Sequence, residues 1–267
     1  TIHNFDAIFV HGCWKYHGVA VRAAAVKHQV PYYVYPHGML DPWFNQHYPL
    51  KWLKKQLYWW LREYAVIRDA RAVLFTSQEE MRLAGEAFVP YRACGQVIPY
   101  GTQRPDPDDI DNGAGFRKEH VFLGNTPYVL YLGRVQEKKG LDLLIEAWKQ
   151  WKPSAGQTAT TWQLIIAGPA GKADYEACLA KKMAARPDIH RIGGVFGSTK
   201  WNALSGATAL VLPSHQENFG MVVAEALSAG TPVFLTKQVN IWREVVDANA
   251  GGAEDDTQEG ILRLLKM

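Results

Sequence analysis

The chain has 267 residues, of which 48% are hydrophobic and 21% are charged. This composition is typical of folded globular proteins and excludes disordered, collagen-like and coiled-coil chains. At roughly 150 residues per domain, the length predicts about two domains. The formal net charge of +3 argues against a dedicated nucleic-acid-binding protein, which would carry a concentrated basic face.

The cysteines and the hydropathy of the sequence limit the cellular compartments in which we expect the protein. Cys13, Cys94 and Cys178 are too widely spaced for a disulfide framework or a zinc site, so we expect a reducing cytoplasm. No apolar run approaches the roughly 20 residues of a membrane-spanning helix. The chain starts at Thr1, directly before a buried-looking strand, and we expect a further segment upstream.

The first part of the chain alternates short apolar runs with amphipathic stretches. The runs predict strands at 6–10, 31–35, 72–76 and 97–99. The amphipathic stretches predict helices over 19–28, 50–68 and 78–87. Residues 101–127 are rich in Gly, Pro and acidic residues, as in a linker. We place a boundary inside this linker, which gives domains at 1–110 and 111–267.

A second alternating series follows the linker. Its strands are predicted at 128–132, 162–167, 189–192, 209–212 and 233–235. Its helices are predicted at 141–151, 174–185, 200–205 and 221–229. Strands that alternate with helices imply parallel sheets with right-handed crossovers. We expect an α/β protein of two doubly wound domains facing a cleft, with ligands at the carboxyl ends of the strands.

The most informative motif runs from Glu217 to Glu225, after the strand at 209–212. Gly220 lies where a helix would begin, and unpaired N–H groups at a helix start favour an anion or a sugar hydroxyl. Glu217 in the loop can accept hydrogen bonds from hydroxyls. Glu225 lies one turn further on the same helical face, where it can accept bonds from a ribose. The alternative is two ordinary surface carboxylates.

A second motif, from Gly133 to Gly140, also lies between a strand and a helix. Gly133 allows a close backbone approach, Arg134 can fork onto phosphate oxygens, and Lys139 adds a point charge. Together they could neutralise a diphosphate without a metal ion. The alternative is a solvated basic loop. The order of residues differs from that of a Walker phosphate-binding loop.

With these two motifs, residues 128 to about 244 resemble the retaining family 4 glycosyltransferases of the GT-B fold. The Glu-x7-Glu element and the Gly-Arg-x4-Lys-Gly element carry the resemblance. Three shorter elements agree with it, at 167–169, 194–197 and 229–233. The resemblance implies a nucleoside-diphosphate sugar as donor, UDP- or GDP-linked, with no other cofactor and no metal.

The resemblance also implies roles for individual residues. Arg134 and Lys139 would hold the donor diphosphate, and Glu217 would contact the transferred sugar. Glu225 would bind the ribose. Backbone amides would contact sugar and phosphate at Asn218, Phe219, Gly220 and Met221. The remaining donor contacts would come from Gly133 and Gly168, where the backbone passes close to the nucleotide, and from Val195 and Phe196, which lie against the base.

The first half of the chain is less specific. Residues 34–43 resemble the corresponding stretch of polysaccharide-assembly members of the family, which implies that His37 lies near the donor sugar and phosphate. The alternative is a loop histidine bound to backbone. His11, Gly12 and Trp14 also follow a strand and could line the acceptor side, or simply pack within their loop.

The sequence also departs from the family pattern. The first strand and the glycine-rich acceptor loop of the family are absent, so we expect an incomplete N-terminal domain. Residues 249–254 look shortened where another strand is expected, and Met267 cuts the usual last helix. The pair Asp109 and Asp111 matches a metal-binding Asp-x-Asp element, but no strand precedes it.

The resemblance implies a hexosyl transfer with retention at the anomeric carbon, to a sugar, glycan or lipid-linked acceptor. The alternatives are a nucleotide-sugar epimerase, a phosphorylase, or a sugar-nucleotide-binding module without catalysis. The helix at 50–68 mixes cations with tryptophans. We expect its aromatic side to pack on the sheet; the alternative is peripheral contact with the inner face of a membrane. The oligomeric state stays open.

Overall fold

The computed structural model describes residues 2–43, 45, 48–103, 105–107, 110–152 and 162–267. The chain divides into two compact units, Thr1–Tyr100 and Gly101–Met267. The structure divides the chain after residue 100, whereas the sequence predicts the boundary after residue 110. Both positions lie in the same linker. Of the Asp-x-Asp pair in this linker, Asp109 lies outside the described residues. The Asp111 carboxylate accepts a hydrogen bond from the Gly115 amide at 2.5 Å.

The first unit contains a four-stranded parallel sheet in the order β1-β2-β3-β4. Its strands are β1 Ile8–His11, β2 Tyr32–Tyr35, β3 Ala72–Phe75 and β4 Gly95–Val97. Its helices are α1 Tyr16–His28, α2 Pro49–Tyr58, α3 Tyr64–Arg68 and α4 Gln78–Ala87. Every residue of β3 is buried, as expected for an apolar run inside a parallel sheet.

The predicted helix at 50–68 is one rod interrupted by a π-helical turn. Residues Trp59–Glu63 form that turn between α2 and α3. Trp59 is fully buried, and its ring stacks on Phe88 with centroids 5.2 Å apart. The prediction that the aromatic side of this helix packs into the domain is confirmed for Trp59 and for the partly buried Trp52.

The second unit contains a six-stranded parallel sheet in the order β10-β9-β8-β5-β6-β7. The strands are β5 Tyr128–Leu132, β6 Gln163–Ala167, β7 Ile189–Gly193, β8 Ala209–Leu212, β9 Val233–Thr236 and β10 Gly251–Glu254. The helices are α5 Ala114–Glu119, α6 Leu141–Gln150, α7 Ala173–Met183, α8 Gly197–Ser205, α9 Met221–Ser228, α10 Trp242–Asp247 and α11 Gln258–Leu264. The expected α/β architecture with two parallel sheets is confirmed.

Residues 249–254, which look shortened in the sequence, do contain the expected strand, β10. It pairs in parallel with β9, and Gly251 lies opposite Val233. A Cβ atom at Gly251 would overlap the carbonyl oxygen of Val233. The glycines therefore permit a close approach of two strands, which a sequence pattern based on large apolar side chains does not register.

The strand order locates the ligand-binding edge of the second sheet. From β5 the chain runs outward through β6 to β7, and it then returns to the other side of β5 with β8, β9 and β10. The strand order thus reverses between β5 and β8, which is where open parallel sheets bind ligands, outside the carboxyl ends of the strands. The loops at this point are 133–140 and 213–220, the two motifs that the sequence singled out.

Candidate functional site

The loops after β5 and β8 contact each other directly. The amide of His215 donates to the carbonyl of Lys138 at 2.9 Å. Gly140 has a φ of +63°, and a Cβ atom there would overlap the carbonyl oxygen of Pro213. Both glycine requirements, the positive φ and the close approach, fix the end of the first loop against the second.

This contact brings Lys139 and Glu217 together as an ion pair. The two side chains are 11% and 19% exposed, so water screens the pair only in part. Burial, with the neighbouring cations Lys138 and Arg134, lowers the pKa of Lys139 to about 8. The Glu217 carboxylate opposes that shift, because a nearby negative charge favours the ammonium form. The fraction of Lys139 side chains that are protonated therefore depends on burial and on the neighbouring charges.

Arg134 is exposed at the beginning of the same loop. Its carbonyl accepts a hydrogen bond from the Tyr131 hydroxyl at 2.9 Å, which ties the loop to the end of β5. The guanidinium is near enough to Lys139 to lower its pKa. The structure thus places two cations at one end of β5.

The backbone of Glu217 is held by the loop that follows β9. Its amide donates to the carbonyl of Gln238 at 3.0 Å, and its carbonyl accepts from the amide of Asn240 at 3.1 Å. The side chain of Asn240 also donates to the Asn218 side chain at 3.4 Å. Residues 238–240, to which the sequence analysis assigned no role in the site, therefore fix the position of the loop. Their signal in the sequence is only that they follow a strand.

Helix α9 begins directly after this loop. Gly220 precedes it with a φ of +71°, and a Cβ atom there would lie 3.4 Å from Cγ of Glu217. Phe219 is buried, whereas Met221 at the first helical position is 40% exposed. The first turn of a helix presents N–H groups that have no intrahelical acceptor. The helix start thus lies beside Glu217, and Glu217 in turn forms the ion pair with Lys139.

Glu225 lies one turn into α9 and has a partner that the sequence did not predict. Its Oε1 atom is 2.9 Å from Nζ of Lys200, which belongs to α8. The Lys200 ammonium also lies 4.5 Å from the ring centroid of Trp201. The pairing joins residues 25 positions apart, and only the packing of α8 beside α9 reveals it.

The ends of β6 and β7 lie on the other side of β5. The Gly168 amide donates to Gly193 at 2.6 Å, and a Cβ atom at Gly168 would overlap the carbonyl oxygen of Gly133. The packing of the loop after β5 thus requires a glycine at 168. Beyond these residues Val195 is buried, whereas Phe196 is 74% exposed.

In the first unit, the ends of β1 and β2 bring two histidines together. Nδ1 of His11 lies 2.9 Å from Nε2 of His37, and the rings are stacked with centroids 5.1 Å apart. Nδ1 of His37 is also hydrogen-bonded to the Tyr100 hydroxyl. Burial and the charge of His11 lower the pKa of His37, against the opposing effect of Glu80.

Glu80 is a buried carboxylate that the sequence analysis missed. Its Oε1 accepts from the Gly38 amide at 2.6 Å, and its Oε2 accepts from the amide and the hydroxyl of Thr76 at 2.7 and 2.6 Å. His37, with φ of +54°, precedes Gly38, with φ of +74°. Glu80 therefore holds the left-handed loop that presents His37. The Ser-x-x-Glu order at 77–80, typical of a helix start, is the signal that could have drawn attention to it.

The other predicted residues of the first unit divide into two groups. His11 is exposed at the end of β1, and Gly12 follows it with a φ of +85°. Trp14 instead packs inward, with its ring centroid 4.9 Å from that of Phe88, and its indole N–H donates to the Met39 carbonyl at 3.2 Å. Trp14 thus makes packing contacts inside the first unit, and its place on the acceptor side stays a prediction.

The described residues contain no group of three or more His, Cys, Asp or Glu side chains that could hold a metal ion. Among the helices in the described ranges, none is both long and apolar enough to cross a membrane.

Comparison with known proteins places this geometry in a family. Residues 114–265 match the family "Glycosyl transferases group 1", and residues 2–101 match the "Glycosyl transferase 4-like domain". A glycosyltransferase of Methanocaldococcus jannaschii is 31% identical over 121 residues, covering 45% of this chain and 30% of its own length. The lipopolysaccharide glucosyltransferase WaaG of Escherichia coli is 28% identical over 176 residues, covering 64% of this chain and 46% of its own.

Solved structures agree on the fold. HepE of Anabaena, crystallised with UDP and glucose, superposes with a TM-score of 0.73 over 99% of this chain and 68% of its own, at 20% identity. A sucrose-phosphate synthase of Thermosynechococcus elongatus gives 0.71 over 98% and 64%, at 19% identity. The chain covers less than half the length of the curated relatives named above. With two parallel-sheet Rossmann-like units of the GT-B type and a family match over more than half of its length, the chain belongs to the group 1 glycosyltransferases.

Proposed function

We propose that the chain is a retaining, metal-independent glycosyltransferase that moves a hexosyl group from a nucleoside-diphosphate sugar to an acceptor hydroxyl. The observation that carries the proposal is the Lys139–Glu217 pair, with Arg134 beside it, next to the start of α9 at the strand-order reversal. UDP-linked donors are the first to test, because HepE was crystallised with UDP and UDP-glucose. GDP-linked donors are the second.

Donor binding would exchange the partners of the ion pair. Lys139 and Arg134 would move onto the diphosphate, because phosphate oxygens are strong acceptors for both cations. Glu217 would then be free to accept hydrogen bonds from the hydroxyls of the sugar. The exchange keeps the largely buried charges of Lys139 and Glu217 compensated with and without the donor, which is the condition for tolerating such charges away from water.

Catalysis would be mainly electrostatic. As the bond to the sugar breaks, negative charge grows on the leaving diphosphate, where Arg134, Lys139 and the first turn of α9 lie ready to stabilise it. The resemblance to retaining family members supports the departing phosphate as the group that takes the acceptor proton. Loss of one such contact typically costs about 3–4 kcal/mol, or two to three orders of magnitude in rate.

The nucleotide would lie on the same side of the sheet. Glu225 would bind the ribose diol, with Lys200 holding the carboxylate in place before the donor arrives. The exposed ring of Phe196 would offer a face to the base, beside the buried Val195. Gly133 and Gly168 leave room for the nucleotide at this edge of the sheet, because neither has a side chain.

The first unit would supply the acceptor side. We propose that His37, presented by the loop that Glu80 holds, contacts the transferred sugar or its phosphate, and that His11 and Gly12 line the acceptor. The acceptor would be a sugar, a glycan or a lipid-linked glycan of a cell-surface polysaccharide or glycoconjugate pathway. The reaction would take place in the cytoplasm, at the inner face of the membrane where the acceptor is lipid-linked.

The test begins with donor binding and turnover. UDP-, GDP- and ADP-sugars are screened by thermal shift, and release of the nucleoside diphosphate is followed with and without acceptor sugars. We expect Lys139→Met to lose turnover by about 100- to 1,000-fold. The matched control is Lys182→Met, which removes a cation of α7 that is paired with Glu146 of α6. Equal turnover in the two variants would contradict the proposal.

The same assay separates the alternatives. Proton NMR of the product gives the anomeric configuration, and inversion would contradict a retaining reaction. Conversion of the donor sugar to an epimer without an acceptor would indicate an epimerase. Absorbance from a pyridoxal phosphate Schiff base would indicate a phosphorylase. Nucleotide binding with no reaction for any acceptor would indicate a non-catalytic module.

A further inference from the structure

The rod formed by α2 and the π-helical turn Trp59–Glu63 has one face that is apolar and exposed. The side chains of Leu50, Leu53, Leu57, Trp60 and Leu61 are each more than half exposed, and Leu50 reaches 85%. Their spacing of three, four, three and one residues places them along a single stripe of the rod, which we call the outer face. Twelve residues of helix at 1.5 Å per residue make the outer face roughly 18 Å long. Scattered single apolar residues are common on proteins, but a continuous stripe of this kind marks a contact surface.

The outer face is held rigidly, because the opposite side of the rod is anchored in the first unit. Trp59 is fully buried, and its indole N–H donates to the Pro90 carbonyl at 2.8 Å. The Gln56 amide donates to the carbonyl of Val89 at 2.6 Å. The exposed leucines are therefore not the sign of a loosely attached helix.

Trp60 extends the outer face toward the loop before β4. Its indole N–H donates to the Val89 carbonyl at 2.6 Å, so the ring is held in one position while 59% of the residue stays exposed. Val89 itself is 70% exposed beside it. An indole with its polar edge bonded and its apolar surface open is suited to the boundary between headgroups and acyl chains.

A stripe of cations accompanies the outer face. Lys51, Lys54 and Arg62 are exposed on the same rod, and the sequence has no acidic residue from 42 to 62. The next acidic residue, Glu63, is buried on the inner side. An apolar stripe beside a purely basic one is complementary to a surface that is apolar below and negatively charged above, as an anionic bilayer is.

The charges argue against a second copy of this chain as the occupant. A two-fold symmetric pairing brings the same surface of each copy to the interface, so two basic rods would share one interface with no acidic residue at 42–62 to pair with them. We propose that the outer face docks on an anionic lipid bilayer, with the leucines and Trp60 in the headgroup–acyl boundary and Lys51, Lys54 and Arg62 on the lipid phosphates. This deepens the proposed function, since it brings the enzyme to a lipid-linked acceptor.

The experiment is co-sedimentation of the purified chain with vesicles of phosphatidylcholine alone and of phosphatidylcholine with 30% phosphatidylglycerol. We expect binding to the anionic vesicles, weakened by salt. The variant Leu53→Gln/Leu57→Gln should bind at least ten-fold more weakly. Its matched control is Val26→Gln/Val121→Gln, which changes two apolar residues exposed elsewhere. Removing the three cations should weaken binding roughly five-fold per charge.

Three outcomes would overturn the proposal. They are equal binding to neutral and anionic vesicles, unchanged binding of the leucine variant, and a concentration-dependent dimer that the leucine variant abolishes without any vesicle binding. Circular dichroism confirms that each variant is folded. The thermal shift with UDP is measured on the same samples. Its absence in every sample would contradict the proposed function while the vesicle result still stands or falls by itself.

Discussion

The lowered pKa of Lys139 predicts that donor affinity depends on pH near neutrality. Because the pKa is about 8 in the donor-free protein, roughly nine-tenths of the side chains carry a charge at pH 7 and roughly one-tenth at pH 9. A diphosphate binds the ammonium form, so binding above pH 8 must first return a proton to Lys139. UDP should therefore bind about ten-fold more weakly at pH 9 than at pH 7. An ordinary lysine would change its charge by only about 3% over this range.

The assay is isothermal titration calorimetry of UDP binding from pH 7 to pH 9.5. The control is Lys139→Arg, because a guanidinium stays charged throughout this range. UDP titrates identically in both experiments, so the difference between the two slopes belongs to Lys139. Measurement in two buffers of different ionisation enthalpy should also show proton uptake on binding to the wild type above pH 8.

A second variant tests the direction in which Glu217 changes the pKa of Lys139. Glu217→Gln removes the carboxylate that favours the charged form of Lys139, so the pH at which affinity begins to fall should move lower. The reasoning is refuted if the wild type and Lys139→Arg lose affinity in parallel. It is also refuted if Glu217→Gln moves the transition to higher pH.

Three further predictions concern the glycine packing, the ribose contact and the histidine loop. Gly168→Ala should lower the free energy of unfolding by about 3 kcal/mol or more, against about 1–2 kcal/mol for Gly230→Ala, which has a positive φ but open space; equal losses in urea unfolding would contradict the packing argument. Glu225→Gln should weaken UDP binding roughly ten-fold but spare 2′-deoxy-UDP, measured by calorimetry. Glu80→Gln should lower the pKa of His37 further, as followed by NMR; a rise would refute the role of Glu80.

The sequence predicted the strands of the second unit well because their residues carry the signal themselves. Tyr128–Leu132 is a run of five apolar residues, and all five are buried. β10 looks shortened in the sequence because Gly251 and Gly252 have no side chains to form such a pattern. Its stability as a strand comes from β9 alongside it, and that contact depends on the absence of Cβ atoms.

The candidate site shows the same division between local and distant information. Lys139 and Glu217 are 78 residues apart, yet their meeting could be predicted, because both follow parallel strands whose carboxyl ends share one edge. The pairing of Glu225 with Lys200 could not, since it depends on how two helices pack. The role of Glu80 was hidden for a similar reason: two of its acceptor contacts lie on its own helix start, and the third lies 42 residues away at Gly38.

The rod at 50–68 shows why hydropathy alone leaves function undecided. Its leucines and tryptophans are similar in the sequence, and only the fold separates those that build the core from those that stay outside. Trp59 and Trp60 are neighbours, and both donate an indole hydrogen bond to the loop at 89–90, yet one is fully buried and the other is 59% exposed. The core requires Trp59 for stability. Trp60 contributes little to that core, so its exposed ring, together with the leucines beside it, is better explained by a partner that the chain itself does not provide.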